Sequence, residues 1–322
     1  MPIRFSEFRP HPLLRGPHSQ TVLPTFVRKR PDLPVRRERL ETPDGDFVDL
    51  LHLDPAHGRP RARAIYLHGL GGGIGSHYSG PHIQALANAG FAVTFLYLRG
   101  GSGEPNRLDR AYHSGDTADL ALLAQKLRAR SPALPLVAVG ISMGGNILLK
   151  YLGERGGDSL IDRAVAVSVP FDLADAADTL NRGFARFYQR HLMNGLLAQT
   201  RAKFNNRPAP FDLARLDQTH TLFEFDDRVT APLNGFAGAR DYYARCSSRQ
   251  FIPAIRTPTV ILHSMDDPFM TREAIPSGRK LPAGVVLELS KHGGHVGFIG
   301  PGVQGGRFWL DTRIVAALGE AP

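Results

Sequence analysis

Gly140-Ile141-Ser142-Met143-Gly144 fits the pattern G-x-S-x-G. It lies between the apolar run Leu136–Val139 and a helical stretch beginning at Gly145. In that context the pattern describes a nucleophile held on a sharp strand-to-helix turn, where side chains two positions either side of the serine would strike neighbouring backbone. The helix that follows offers free N–H groups and a field that favours an oxyanion.

An acyl-transfer site also needs two N–H donors aimed at the developing negative oxygen. Met143, directly after the serine, supplies one. The loop His68-Gly69-Leu70-Gly71-Gly72-Gly73 lets backbone approach closely, and Leu70 is the expected second donor. The same loop has neither G-x-G-x-x-G nor G-K-[ST], which argues against a phosphate cradle. His68 stands too early in the chain for the base, because sites of this design run serine, acid, histidine, and it is expected to orient the loop.

The base is sought in Lys291-His292-Gly293-Gly294-His295-Val296-Gly297-Phe298, with His295 preferred over His292. A metal at the two histidines lacks carboxylate company nearby. The acid follows the preceding strand, in His263-Ser264-Met265-Asp266-Asp267-Pro268. Asp267, just before Pro268-Phe269-Met270, is preferred as the group that holds the imidazole tautomer. Asp266 is expected to cap the turn or the helix that follows it. No metal ligand set and no cofactor site is expected.

These residues need a scaffold that brings strand ends together. Phe47–His52 alternates like a half-buried strand, and Ala64–His68, Phe91–Leu98, Leu136–Val139, Ala164–Ser168, Thr259–His263 and Val285–Leu289 are short apolar strand runs. Helical spacing fills Tyr78–Ala89, Asp116–Arg130, Gly145–Leu152 and Arg307–Leu318. Strand and helix in alternation predict an α/β fold, a mostly parallel sheet covered on both faces, and such sheets carry their sites at the carboxyl ends of strands. Residues 41–170 and 251–322 form this core. The rhythm breaks over 171–250, which is helical but irregular and is expected to form a lid inserted over the sheet. Residues 1–40, rich in Pro and Arg and without a clear period, are expected to be an irregular arm packed on the body.

Composition bounds the rest. The 322 residues are 42% apolar and 21% charged, ordinary for a globular chain. The formal charge is +9, and only six of the 39 basic residues are lysines. The arginines are scattered and are not interleaved with aromatics as in a nucleic-acid stripe, so no nucleic-acid partner is expected. Cys246 is the single cysteine, so no internal disulfide and no cysteine zinc site can form. The first residues lack the apolar core of a signal peptide, and no apolar run is long enough to span a bilayer. A cytoplasmic protein is expected, with peripheral contact to a membrane or lipid left open and no oligomeric state indicated.

With these residues in hand, the chain resembles the YheT-like branch of the α/β hydrolases, related to eukaryotic abhydrolase esterases and yeast alcohol acyltransferase–esterases. The resemblance covers nearly the whole chain. It rests on Pro12–Thr21, Leu67–Gly72, Arg99–Arg107 with Tyr112–Gly115, Phe225–Phe236 with Asp241–Tyr243, Asp266–Phe269 and Gly293–Phe298. It implies a Ser142, Asp267, His295 triad and hydrolysis of small carboxylic esters with short to medium acyl chains. Acyl transfer to an alcohol through the same acyl-enzyme, and a non-catalytic binding protein on the same fold, are the alternatives. Arg99, Glu104, Asn106 and Arg107 are read as a network bracing a loop, His113 as a satisfied network histidine, and Asp226 and Asp227 as positioning the lid.

Overall fold

The computed structural model describes residues 2–302 and 307–319. Nine strands build one sheet: β1 (Ile3–Phe5), β2 (Arg36–Glu41), β3 (Phe47–Leu53), β4 (Ala62–Leu67), β5 (Phe91–Leu96), β6 (Leu136–Ile141), β7 (Arg163–Val167), β8 (Thr259–Ser264) and β9 (Val285–Ser290). Their order is β1-β9-β8-β7-β6-β4-β5-β3-β2. Every neighbouring pair from β1 to β5 is parallel, while β3 runs antiparallel to both β5 and β2.

The helices are α1 (Pro17–Val27), α2 (Ser79–Asn88), α3 (Ala118–Arg130), α4 (Met143–Arg155), α5 (Leu173–Leu180), α6 (Ala185–Phe204), α7 (Leu222–Phe225), α8 (Ala231–Asn234), α9 (Ala239–Cys246) and α10 (Trp309–Gly319). Leu120, Leu123 and Leu127 of α3 and Ile147, Leu148 and Leu152 of α4 join the core on one sheet face. Ile83 and Leu86 of α2 and Leu310, Ile314 and Leu318 of α10 join the core on the other. Strands covered on both faces need no alternation, and β4 to β8 have almost none. Even β3, expected to be half-buried, is buried on both sides: Leu50 belongs to one core and Leu51 to the other.

Helices α5 to α9 share a third apolar cluster of their own, including Leu180, Tyr188, Leu196, Phe225 and Tyr242. Two cationic side chains fasten α6 and the turn after it to the loop beyond β5. Lys203 Nζ donates to Asn106 Oδ1 at 2.6 Å. The Arg207 guanidinium donates to the carbonyls of Asn106 and Arg107 at 2.9 and 2.6 Å. Burial pushes Lys203 down to about 7. Beneath them Arg99, 2% exposed, donates to Asp44, Asp46 and Asp119 at 2.6–3.1 Å. The expected bracing network is therefore real, and it reaches into the helical insertion.

The arm is not irregular. Its β1 pairs with β9 at one edge of the sheet and its β2 with β3 at the other. Between them α1 crosses the carboxyl end of the sheet. The Gln20 side chain, fully buried, donates to the carbonyls of Leu14 and Ile299 and accepts from the Ile299 N–H at 2.6 Å.

Candidate active site

The turn after β6 holds Ser142 at φ 52°, ψ −119°, a left-handed conformation that L residues adopt only under constraint. The constraint is local. The Ser142 N–H donates to the Val167 carbonyl at the end of β7 at 2.8 Å, and the Ser142 carbonyl accepts from Asn146 N–H in α4 at 3.1 Å. The flanking glycines leave no room for anything larger. A Cβ on Gly140 would lie 2.4 Å from the Gly144 carbonyl oxygen, and one on Gly144 would lie 2.6 Å from both the Leu67 and His68 carbonyl oxygens.

Gly144→Ala is thus expected to destabilise the protein. Alanine gains up to about 1 kcal/mol over glycine inside a helix. Overpacking costs about 1–3 kcal/mol or more, and here the obstacle is backbone of the central strand, which cannot swing aside. We expect a net loss of about 1–2 kcal/mol, read from urea unfolding; an unchanged or raised midpoint would refute this packing argument.

The loops after β8 and β9 meet at the serine. His295 Nδ1–H is shared between the Asp267 carboxylate oxygens at 2.9 and 3.1 Å, and Nε2 lies 2.9 Å from Ser142 Oγ. Asp267 and His295 are both buried, whereas Ser142 is partly open. The imidazole lies flat against the Phe269 ring, with centroids 3.9 Å apart and planes 4° from parallel. Asp266 faces away from it: Oδ1 accepts from Ser264 Oγ and from Gly294 N–H, and Oδ2 lies 3.4 Å from His292 Nδ1. His292 is substantially exposed and does not reach the serine.

The glycine loop after β4 lies against the serine, with a Cβ on Gly69 falling 3.2 Å from the Ser142 Cβ. Four of its N–H groups are taken: Gly69 by Tyr78 Oη, Gly71 by Tyr112 Oη, Gly72 by the Gly69 carbonyl and Gly73 by Ser76 Oγ. Leu70 N–H has no partner among the described residues. Met143 opens α4, where a backbone N–H has no intrahelical acceptor. His68 is fully buried, donating from Nδ1 to the Gly69 carbonyl at 2.8 Å and accepting at Nε2 from Leu98 N–H at 3.1 Å. Burial pushes it down to about 4, so it stays neutral and shapes the loop.

Sequence reasoning missed the contribution of the arm. The His295 N–H donates to Thr21 Oγ1 at 2.9 Å, and a Cβ on Gly297 would fall 1.8 Å from the Gln20 carbonyl oxygen. The histidine loop is therefore moulded on α1. It contains left-handed Gly293, Gly294, Val296 and Phe298, and Val296 N–H is held by Ser168 Oγ at 3.2 Å. The signal was present in the motif Gln20-Thr21, whose side chains have no obvious work in an irregular arm.

A cavity of about 850 Å³ opens above Ser142. One side is apolar, built by Leu173, Leu180, Leu192, Leu196, Leu222 and Phe225; the glycine loop and α1 close the others. Among the described residues no group of His, Cys, Asp and Glu could hold a metal ion, and no helix is long and apolar enough to cross a membrane.

A sequence profile of the α/β hydrolase fold matches residues 65–301. The chain is also 40% identical to YheT of Escherichia coli (strain K12), whose name assigns it provisionally to the esterases, over 96% of this chain and 92% of that one. The protein belongs to the α/β-hydrolase fold family, in its YheT-like branch. Mouse phospholipase ABHD3 is 27% identical over 87% of this chain and 70% of its own. An esterase of Pyrococcus furiosus superposes with a TM-score of 0.59 at 16% identity, covering 89% of this chain and 91% of that one, a likeness of fold alone. Membership in this branch supports esterase-type hydrolase function acting on a small-molecule ester.

Proposed function

We propose that the protein is a serine carboxylic-ester hydrolase that works through an acyl-enzyme. The observation that carries this reading is the continuous relay from Asp267 through both nitrogens of His295 to Ser142 Oγ, each link about 3 Å long. His295 Nε2 takes the proton as Ser142 Oγ bonds to the ester carbonyl carbon. The oxyanion is received by the Met143 and Leu70 N–H groups. His295 then protonates the departing alcohol. Water, deprotonated by the same nitrogen, attacks the acyl-enzyme and releases the acid and the free serine. Asp267 keeps the Nδ1 proton in place throughout.

Residues 171–250 serve as the lid, with 1–40 as an arm that completes the site and 41–170 and 251–322 as the catalytic core. The leucine-lined side of the cavity accepts the acyl chain. The cavity has room for short to medium chains, and the phospholipase name of the mouse relative likewise points to acyl esters.

A fluorophosphonate probe tests the reading directly, since it phosphonylates only a serine whose base and oxyanion donors are in place. Mass spectrometry is expected to find one adduct, on the tryptic peptide containing Ser142. An unlabelled chain, or an adduct elsewhere, would overturn the assignment.

A further inference from the structure

The mouth of the cavity gathers three of the most exposed phenylalanines among the described residues. Phe26 at the end of α1 is 80% exposed, and Phe184 and Phe187 at the start of α6 are 54% and 58% exposed. Large aromatic rings left this bare on a soluble surface mark a contact that forms with something else. The three belong to one rim. Phe26 and Phe187 both line the cavity, Phe184 packs at a tilt against Phe187 with centroids 5.8 Å apart, and the α1 residue His18 lies 4.4 Å from the Phe184 ring. His18 Nδ1 and Tyr188 Oη, 3.0 Å apart, join the two helices beneath.

Along the segments that carry these rings the charge has one sign. Between Glu7 and Asp32 the chain has no acidic residue, and between Asp178 and Asp212 it has none either. Those two segments contain the whole of α1 and α6. Lys29, Arg30, Arg182, Arg186 and Arg190 are exposed, and their cationic groups form no ion pair among the described residues. Other surface arginines do form ion pairs, as Arg39 does with Asp49 and Glu104, Arg107 with Glu41, and Arg130 with Glu38. At the rim, unpartnered cations sit beside bare aromatics and around the opening of an apolar cavity.

We propose that this rim docks on an anionic lipid surface. The rings of Phe26, Phe184 and Phe187 enter the boundary between headgroups and acyl chains, and the five cations hold anionic headgroups around them. Docked this way, the cavity mouth faces the lipid, so an acyl ester can pass into the leucine-lined side without crossing water. That consequence rests on the esterase reading, whereas the docking itself does not require Ser142. A second copy of the chain would bring like charges together at the same rim, which is why the lipid surface is preferred.

The test is co-sedimentation of the full chain carrying Ser142→Ala with vesicles of phosphatidylcholine alone or mixed with phosphatidylglycerol. Binding is expected to the mixed vesicles only, and to be lost at high salt, because the attraction is screened. Replacing Arg182, Arg186 and Arg190 together by Gln should weaken binding on the order of a hundredfold. Phe184→Ser should weaken it as well, with melting temperatures of both variants unchanged to show that they fold. Failure to bind either vesicle, equal binding to both, or full binding by the variants would overturn the proposal. So would a salt-sensitive dimer abolished by the same substitutions, which would assign the rim to a second copy. Since the vesicle assay uses a chain without its nucleophile, its outcome is independent of the fluorophosphonate result.

Discussion

Ser142→Ala is expected to lower kcat/KM on p-nitrophenyl butyrate by at least about 10⁴-fold while leaving the fold intact. The size follows from the role: with the oxygen gone, no acyl-enzyme can form, and only the N–H donors and the cavity still act on the ester. The stability half of the expectation follows from the backbone. Alanine keeps the Cβ, so the left-handed φ of 52° is no easier or harder to hold than before, and the lost hydrogen bond to His295 is at a partly open position. Ser142→Gly separates the two contributions. It is just as inactive, but it removes a backbone strain of about 1–3 kcal/mol, against about 0.5–1 kcal/mol for the extra freedom glycine has when unfolded. The glycine variant should therefore melt above the alanine variant. An alanine variant that keeps a tenth or more of the activity would refute the role of Ser142. A glycine variant no more stable than alanine would refute the strain.

The serine turn was legible in the sequence because its requirements are local. Steric collision at Gly140 and Gly144 and the change from apolar strand to helix are written in consecutive residues. The order of serine, acid and histidine along the chain then narrowed the search to two short loops. What could not be read is whatever depends on a distant partner. β1 is three residues long and exists only because β9 offers an edge. β2, Arg36–Glu41, has a single buried side chain, Leu40, and looks like a solvated charge run. Its charges suit the last strand of a sheet, where they block further pairing. Gln20 and Thr21 gain their meaning only when Ile299 and His295, more than 270 residues away, come to lie against them. The turn Asp226–Thr230, a short π-helix, was unreadable for a related reason. It is stabilised by half-buried Asp226, which accepts from Thr230 and Tyr243, and desolvation pushes that carboxyl up to about 6.

The choice between the two adjacent aspartates is where geometry adds most to the sequence, and it yields an asymmetric prediction. Asp267→Asn should reduce kcat/KM about 10³- to 10⁴-fold, while Asp266→Asn should leave it within about tenfold. At Asp267 the carboxylate accepts the Nδ1 proton of His295 through both oxygens. An asparagine can instead donate its amide N–H to Nδ1, which moves the ring proton to Nε2. That nitrogen then has no lone pair for the Ser142 hydroxyl. The ring itself should barely move, because Phe269 stacks on it and Thr21 fixes its backbone. The loss should therefore appear in kcat more than in KM, and not in stability. At Asp266 the oxygen that matters accepts from Ser264 and Gly294 N–H, and asparagine retains it. The second oxygen faces exposed His292, where an amide nitrogen can stand in its place. Equal losses from the two substitutions would mean that the loop as a whole, and not the tautomer of His295, sets the rate. A larger loss at Asp266 would move the acid by one residue and break the relay on which the proposed mechanism stands.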